Sequence, residues 1–174
     1  CPVSWRDFLF PLVSVLNFCH MDQAKLDFIA KEFVPLLQKV HNPQIKWGKM
    51  SFQQMVEHVD DFFKVSSGKL QMPLVTPIEH LPKYKEFLLS DKIFRENTKA
   101  PLEVLGEQPM PTRNPDLATA ISKLQHQINS FILHFQNNPS NKTTHPVFGE
   151  LDFEEWVLLH YKHVTHHARQ FGLM

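Results

Sequence analysis

The chain has 174 residues, with 18 Lys plus Arg against 18 Asp plus Glu, so its formal charge is zero with histidine neutral. That balance argues against a dedicated nucleic-acid binder, which carries a basic excess. Two cysteines, Cys1 and Cys19, exclude a disulfide scaffold, and five glycines disfavour architectures built on many tight turns. A 43% hydrophobic and 21% charged composition fits one globular domain with its own core. Histidine is the anomaly: eleven residues, four of them between positions 160 and 167.

The most apolar stretch, Phe8 to Cys19, is broken by Pro11, Ser14 and Asn17 and falls short of the ~20 residues that a membrane span needs. It also makes a poor signal peptide, with one preceding Arg6 and no small-residue cleavage site. Met21 is followed at once by a helix-start pattern. Residues 1–20 therefore read as an N-terminal extension, non-native or the remnant of a preceding segment. Residues 21–174 read as a single cytoplasmic domain with neither a membrane nor a nucleic acid as partner.

Asp22 can cap a first helix over 22–40, whose stripe is Leu26, Ile29, Phe33, Leu36, Leu37 and Val40. Pro35 inside it predicts a kink or an early end. Ser51 with Gln54 is a capping box opening a second helix over 51–67, with Phe52, Met55, Val59, Phe62 and Phe63 on its apolar face. A third helix over 116–136 starts at Asn114-Pro115-Asp116, and its stripe runs from Leu117 to Phe135. A fourth over 152–170 starts at Asp152, with Glu154 and Glu155 favourable against the helix dipole and Gly172 as its cap. Residues 69–115, punctuated by prolines, join the second and third helices, with a short helix near Lys83 to Leu89. So long a connection can cross a bundle and let the helices it joins run parallel. The expected class is all-α, a four-helix bundle with one long crossover between helices two and three.

The fourth helix carries His160, His163, His166 and His167. Spacing of i, i+4 stacks His163 and His167 on one face, and His58 is the only histidine on the second helix. Imidazole nitrogen suits zinc, nickel, copper or iron, and three histidines with an open position are the general form of a catalytic metal site. His160 lies near that face, as a neighbour of the ligands or as core, and His166 points towards the rim. Gln54 and Asp61 share a face with His58, and Gln170 follows His167 by three. Each could orient a ligand or contact substrate; Gln54 could equally serve only the capping box, and Asp61 could be a solvated carboxylate. Glu57 is rotated away from His58 and reads as surface.

The run His145-Pro146-Val147-Phe148-Gly149-Glu150-Leu151 precedes His160-Tyr161-Lys162-His163 and His166-His167-Ala168-Arg169-Gln170-Phe171-Gly172. With Trp47-Gly48-Lys49-Met50-Ser51, Gln54-Met55 and His58, it resembles an uncharacterised branch of the DinB-like superfamily over about residues 22–173. The resemblance implies an up-down-down-up four-helix bundle and a divalent metal, zinc or nickel first, on His58, His163 and His167. It also implies a metal-dependent transferase or hydrolase acting on a small-molecule substrate, with a low-molecular-weight thiol as co-substrate. Two other classes remain beside it: a metal- or ligand-binding accessory domain without turnover, and a metal-free helical interaction module. Assembly as a monomer or a homodimer is left open. No GxSxG, P-loop or dinucleotide fingerprint is present.

Overall fold

The computed structural model describes residues 22–98, 101–106 and 108–174, leaving out the Leu105 side chain. The N-terminal extension read from the sequence lies outside the described residues. The described chain is mostly helical and carries one small two-stranded sheet. No helix among the described residues is long and apolar enough to cross a membrane.

The first predicted helix forms as α1 (Gln23–Asp27), a π-helical turn (Phe28–Glu32) and α2 (Phe33–Gln38). Asp22 caps it by accepting from the Lys25 N–H at 3.1 Å. Pro35 has no N–H to offer to a carbonyl one turn earlier, and the widened turn before it absorbs that mismatch. The expected kink is thus a π-turn placed N-terminal to the proline. Ile29, Phe33 and Leu37 are fully buried.

Helix α3 (Phe52–Ser66) opens with the predicted capping box. The Gln54 N–H donates to Ser51 Oγ at 3.2 Å, and the Ser51 N–H donates to Gln54 Oε1 at 2.8 Å. The connection holds α4 (Leu81–Leu89), as expected, and a four-residue α5 (Leu102–Leu105). Helix α6 (Leu117–Asn137) starts at the Asp116 cap. Helix α7 (Phe153–Gln170) starts at Asp152, which accepts from the Glu155 N–H at 3.0 Å while Glu155 accepts from the Asp152 N–H at 3.1 Å. Asp152→Ala should therefore cost about 1 kcal/mol of stability, read by urea denaturation.

The hairpin adds one small sheet to the mostly helical chain that the all-α expectation described. Strands β1 (Thr143–His145) and β2 (Gly149–Leu151) pair antiparallel, with His145 opposite Gly149. Its turn is built around a buried histidine: His145 Nδ1 accepts from the N–H groups of Val147 at 2.9 Å and Phe148 at 3.1 Å. Three-residue strands are too short to show alternation in sequence.

Helix α3 packs most extensively on α6, and Phe63 meets Phe131 with ring centroids 5.7 Å apart. Helix α3 also touches α7, α1 touches α7, and α2 touches α6. The long connection is pinned across these helices. The Val75 N–H donates to the Pro146 carbonyl at 2.8 Å, and Lys85 Nζ donates to the Glu150 carbonyl at 3.0 Å. Lys162 Nζ, on α7, donates to the carbonyls of Ser90 and Lys92, both at 2.5 Å. Farther on, the buried Glu57 carboxylate of α3 accepts from the N–H groups of Arg113 at 2.7 Å and Asn114 at 3.0 Å. Glu57 is only 4% exposed, so its expected surface position is wrong. The connection covers the helix face that periodicity assigns to solvent.

Candidate metal centre

Three imidazoles meet between α3 and α7. His58 comes from α3, and His163 and His167 lie one turn apart on α7. His163 Nε2 stands 2.9 Å from His58 Nε2 and 3.0 Å from His167 Nε2. One ligand atom from each residue lies within 4.8 Å of the others. Zinc–nitrogen bonds of ~2.0–2.1 Å in a tetrahedral arrangement place ligand nitrogens roughly 3.3 Å apart, close to the spacing found. The sequence-predicted trio is therefore brought together, with nitrogens turned towards one another.

Burial keeps these rings neutral. It pushes His58 down to about 4, against a smaller pull upward from Asp61. It pushes His163 and His167 well below the ordinary histidine range, with the neighbouring histidines adding to the effect. A neutral imidazole retains a lone pair and can ligate a metal; an imidazolium cannot. His58 is partly exposed, so the trio opens to solvent on that side.

Gln170 orients His167. Its Nε2 donates to the Trp47 carbonyl at 2.9 Å, which turns its Oε1 towards His167 Nδ1 at 2.8 Å. An amide oxygen only accepts, so His167 carries its proton on Nδ1 and presents the Nε2 lone pair to the trio. The Lys46 N–H also donates to the Gln170 carbonyl at 2.8 Å. Gly48 is required beneath this contact: its φ is +84°, and a Cβ there would lie 2.6 Å from Gln170 Nε2. If the trio holds a metal, Gln170→Leu should weaken zinc affinity roughly 10–100-fold in a chelator competition titration. Gln170→Glu, which keeps an acceptor for Nδ1, should lose less.

The other expected residues are engaged by partners outside the trio. Gln54 is committed to the capping box, and its Nε2 donates to the Met110 carbonyl at 2.9 Å. Asp61 pairs with Arg113 at 2.7 Å and Lys64 at 3.0 Å. His160 is fully buried, its Nε2 is 2.8 Å from Ser66 Oγ, and its ring stacks on Phe63 at 3.8 Å; it is a core residue. His166 is 7% exposed rather than on the rim, because Trp47 and Phe94 cover it with ring centroids 5.9 and 6.0 Å away. Phe62 reads only as core in the sequence, yet its ring lies 4.2 Å from that of His163 and walls the trio. Its spacing of four from His58 was the available signal.

Fold and site together define a mostly helical protein with a buried cluster of three histidines. Residues 21–174 match the family described as a protein of unknown function (DUF1569), and the chain belongs to that family. No curated protein and no solved structure matches it.

Proposed function

We propose that this is a DinB-like metal-dependent enzyme whose His58, His163 and His167 hold one divalent metal, zinc or nickel. The observation that carries this reading is the approach of the three Nε2 atoms, two pairs of them at 2.9 and 3.0 Å. The pairwise packing supports the bundle that goes with it. The α1–α2 segment touches α7, α7 touches α3, α3 touches α6, and α6 touches α2. Four helical segments close a ring in this way, and the long connection between α3 and α6 accommodates the up-down-down-up order.

A divalent metal on three neutral imidazoles would lower the pKa of a bound water or thiol and so supply a nucleophile near neutral pH. The chain's own residues set the rest. Gln170 holds the His167 tautomer, Phe62 walls the cluster, and partly exposed His58 marks the approach for a small molecule. Asp61 is engaged by Arg113 and Lys64, so it serves as a charge near His58 rather than as a proton acceptor at the site. The reaction class we favour is transfer or hydrolysis with a low-molecular-weight thiol as co-substrate.

The test is a turnover assay on zinc- and nickel-loaded protein with thiols and a panel of electrophilic and hydrolysable substrates. Thiol consumption or substrate cleavage that disappears in His163→Ala supports the enzyme. Stoichiometric metal with no turnover across the panel would favour a binding domain instead.

A further inference from the structure

We propose that the Trp47 indole and the Arg169 guanidinium form a binding site for an oxyanion, a carboxylate or phosphate on a small molecule, beside the three-histidine cluster. Trp47 Nε1 and Arg169 Nη2 are both buried with no hydrogen-bond partner. Both groups only donate, so each needs an acceptor that the described residues do not supply.

The two residues are held at one turn of α7. Arg169 follows His166 by three residues, which puts both on one helix face, and its charge acts on His166. The Trp47 ring lies 5.9 Å from that of His166. The Trp47 backbone is tied to the same turn through the Gln170 amide, and Lys46 through the Gln170 carbonyl. A third unpartnered buried nitrogen, His166 Nδ1, belongs to the residue between them. His166 in turn stands 5.2 Å, ring to ring, from the trio member His167.

The chemistry selects an oxyanion. A guanidinium with a neighbouring indole N–H offers several donors and one positive charge; a carboxylate or phosphate both accepts these bonds and balances the charge, whereas a neutral amide only accepts. Among the described residues no ion pair involves Arg169. Glu96 acts electrostatically on His166 but is exposed. Lys46 and Lys49, exposed on the Trp47 loop, add positive potential. Trp47 and Arg169 each keep part of their surface in solvent while the two donor nitrogens are buried, so an anion reaches them by displacement of these two side chains. The inference deepens the metal reading by naming a substrate class. It rests on that reading only for where the reacting group would sit.

The test is a 1H–15N NMR titration of the full chain, metal-free and zinc-loaded, with acetate, inorganic phosphate and neutral acetamide. The probes are the Trp47 indole N–H, assigned by its loss in Trp47→Phe, and the amides of Gly48 and Gly172. Saturable shifts with an anion but not with acetamide are expected, and the tighter of the two anions identifies the class. Arg169→Met should weaken that binding by about tenfold or more, and Arg169→Lys by several-fold, with zinc affinity retained. Trp47→Phe keeps an aromatic ring and removes the N–H; it should weaken binding about threefold on the glycine amides, and it carries the test if Arg169→Met does not fold. Equal response to acetamide, or anion binding unchanged in the folded Arg169 or Trp47 variants, overturns the proposal. Anion binding without zinc binding would retain this site and remove the metal reading; zinc binding with no anion response would do the reverse.

Discussion

His163→Ala should abolish stoichiometric metal binding and leave the fold standing. His163 is the central member of the trio, with its Nε2 at 2.9 and 3.0 Å from the other two. Its removal leaves two nitrogens that are not held against each other by a common neighbour. The loss should exceed the roughly 10–100-fold expected from an outer partner such as Gln170. His126→Ala, on the exposed face of α6, should change nothing and is the matched control. Competition titration with a chromogenic chelator reads the affinity, and circular dichroism reads the fold. Near-native metal affinity in a folded His163→Ala protein would contradict the assignment.

Glu57→Ala should release the long connection from α3. The carboxylate accepts from the N–H groups of Arg113 and Asn114 and from Gln53 Nε2 at 3.1 Å. Two backbone donors would lose their acceptor, a cost of about 2–4 kcal/mol unless the segment detaches into water. Global stability separates the two outcomes: the amides of Arg113 and Asn114 should lose hydrogen-exchange protection in either case, and stability to urea falls by that amount only in the first. The same residue gives a pH signature. Burial would raise the Glu57 carboxyl, but hydrogen bonds from Gln53, Arg113 and Asn114 overcome this and hold it at about 2, against an ordinary 4.5. Its stabilisation is therefore full above pH 4.5 and is lost as the pH falls towards 2. His145 acts earlier in the same direction. Burial pushes it from 6.5 to about 3, so the unfolded chain takes up its proton first and stability declines below pH 6.5. Acid titration of Glu57→Ala should retain the decline that begins near pH 6.5 and lose the part contributed between 4.5 and 2.

What could be read from the sequence followed from periodicity and caps. The Ser51 capping box and the Asp22 cap stand where their residue types put them, and the helices expected to start at Asp116 and Asp152 do so, each with that aspartate as its cap. The i, i+4 pair His163 and His167 shares a face because helical geometry requires it, and His58 joins it because α3 packs on α7. The misreadings share one physical origin. Glu57 is expected at the surface and His166 on the rim, yet both are buried, as is Lys162. Each is covered or bound by the long connection or the Trp47 loop: Glu57 by Arg113 and Asn114, Lys162 by the carbonyls of Ser90 and Lys92, His166 by Phe94 and Trp47. An irregular segment has no period, so nothing in the sequence shows which helix face it will cover. The hairpin escaped notice because its strands are only three residues long and its three-residue turn, closed by Gly149 at φ +78°, is organised by the His145 imidazole rather than being a two-residue turn.

The most direct test of the three-histidine centre is elemental analysis of the full chain, purified without a histidine tag and then saturated with zinc or nickel and desalted. One equivalent of divalent metal per chain, absent from a folded variant with His58, His163 and His167 all replaced by alanine, is the predicted result. No retained metal in the unaltered protein, or one equivalent still held by the folded triple variant, would contradict it.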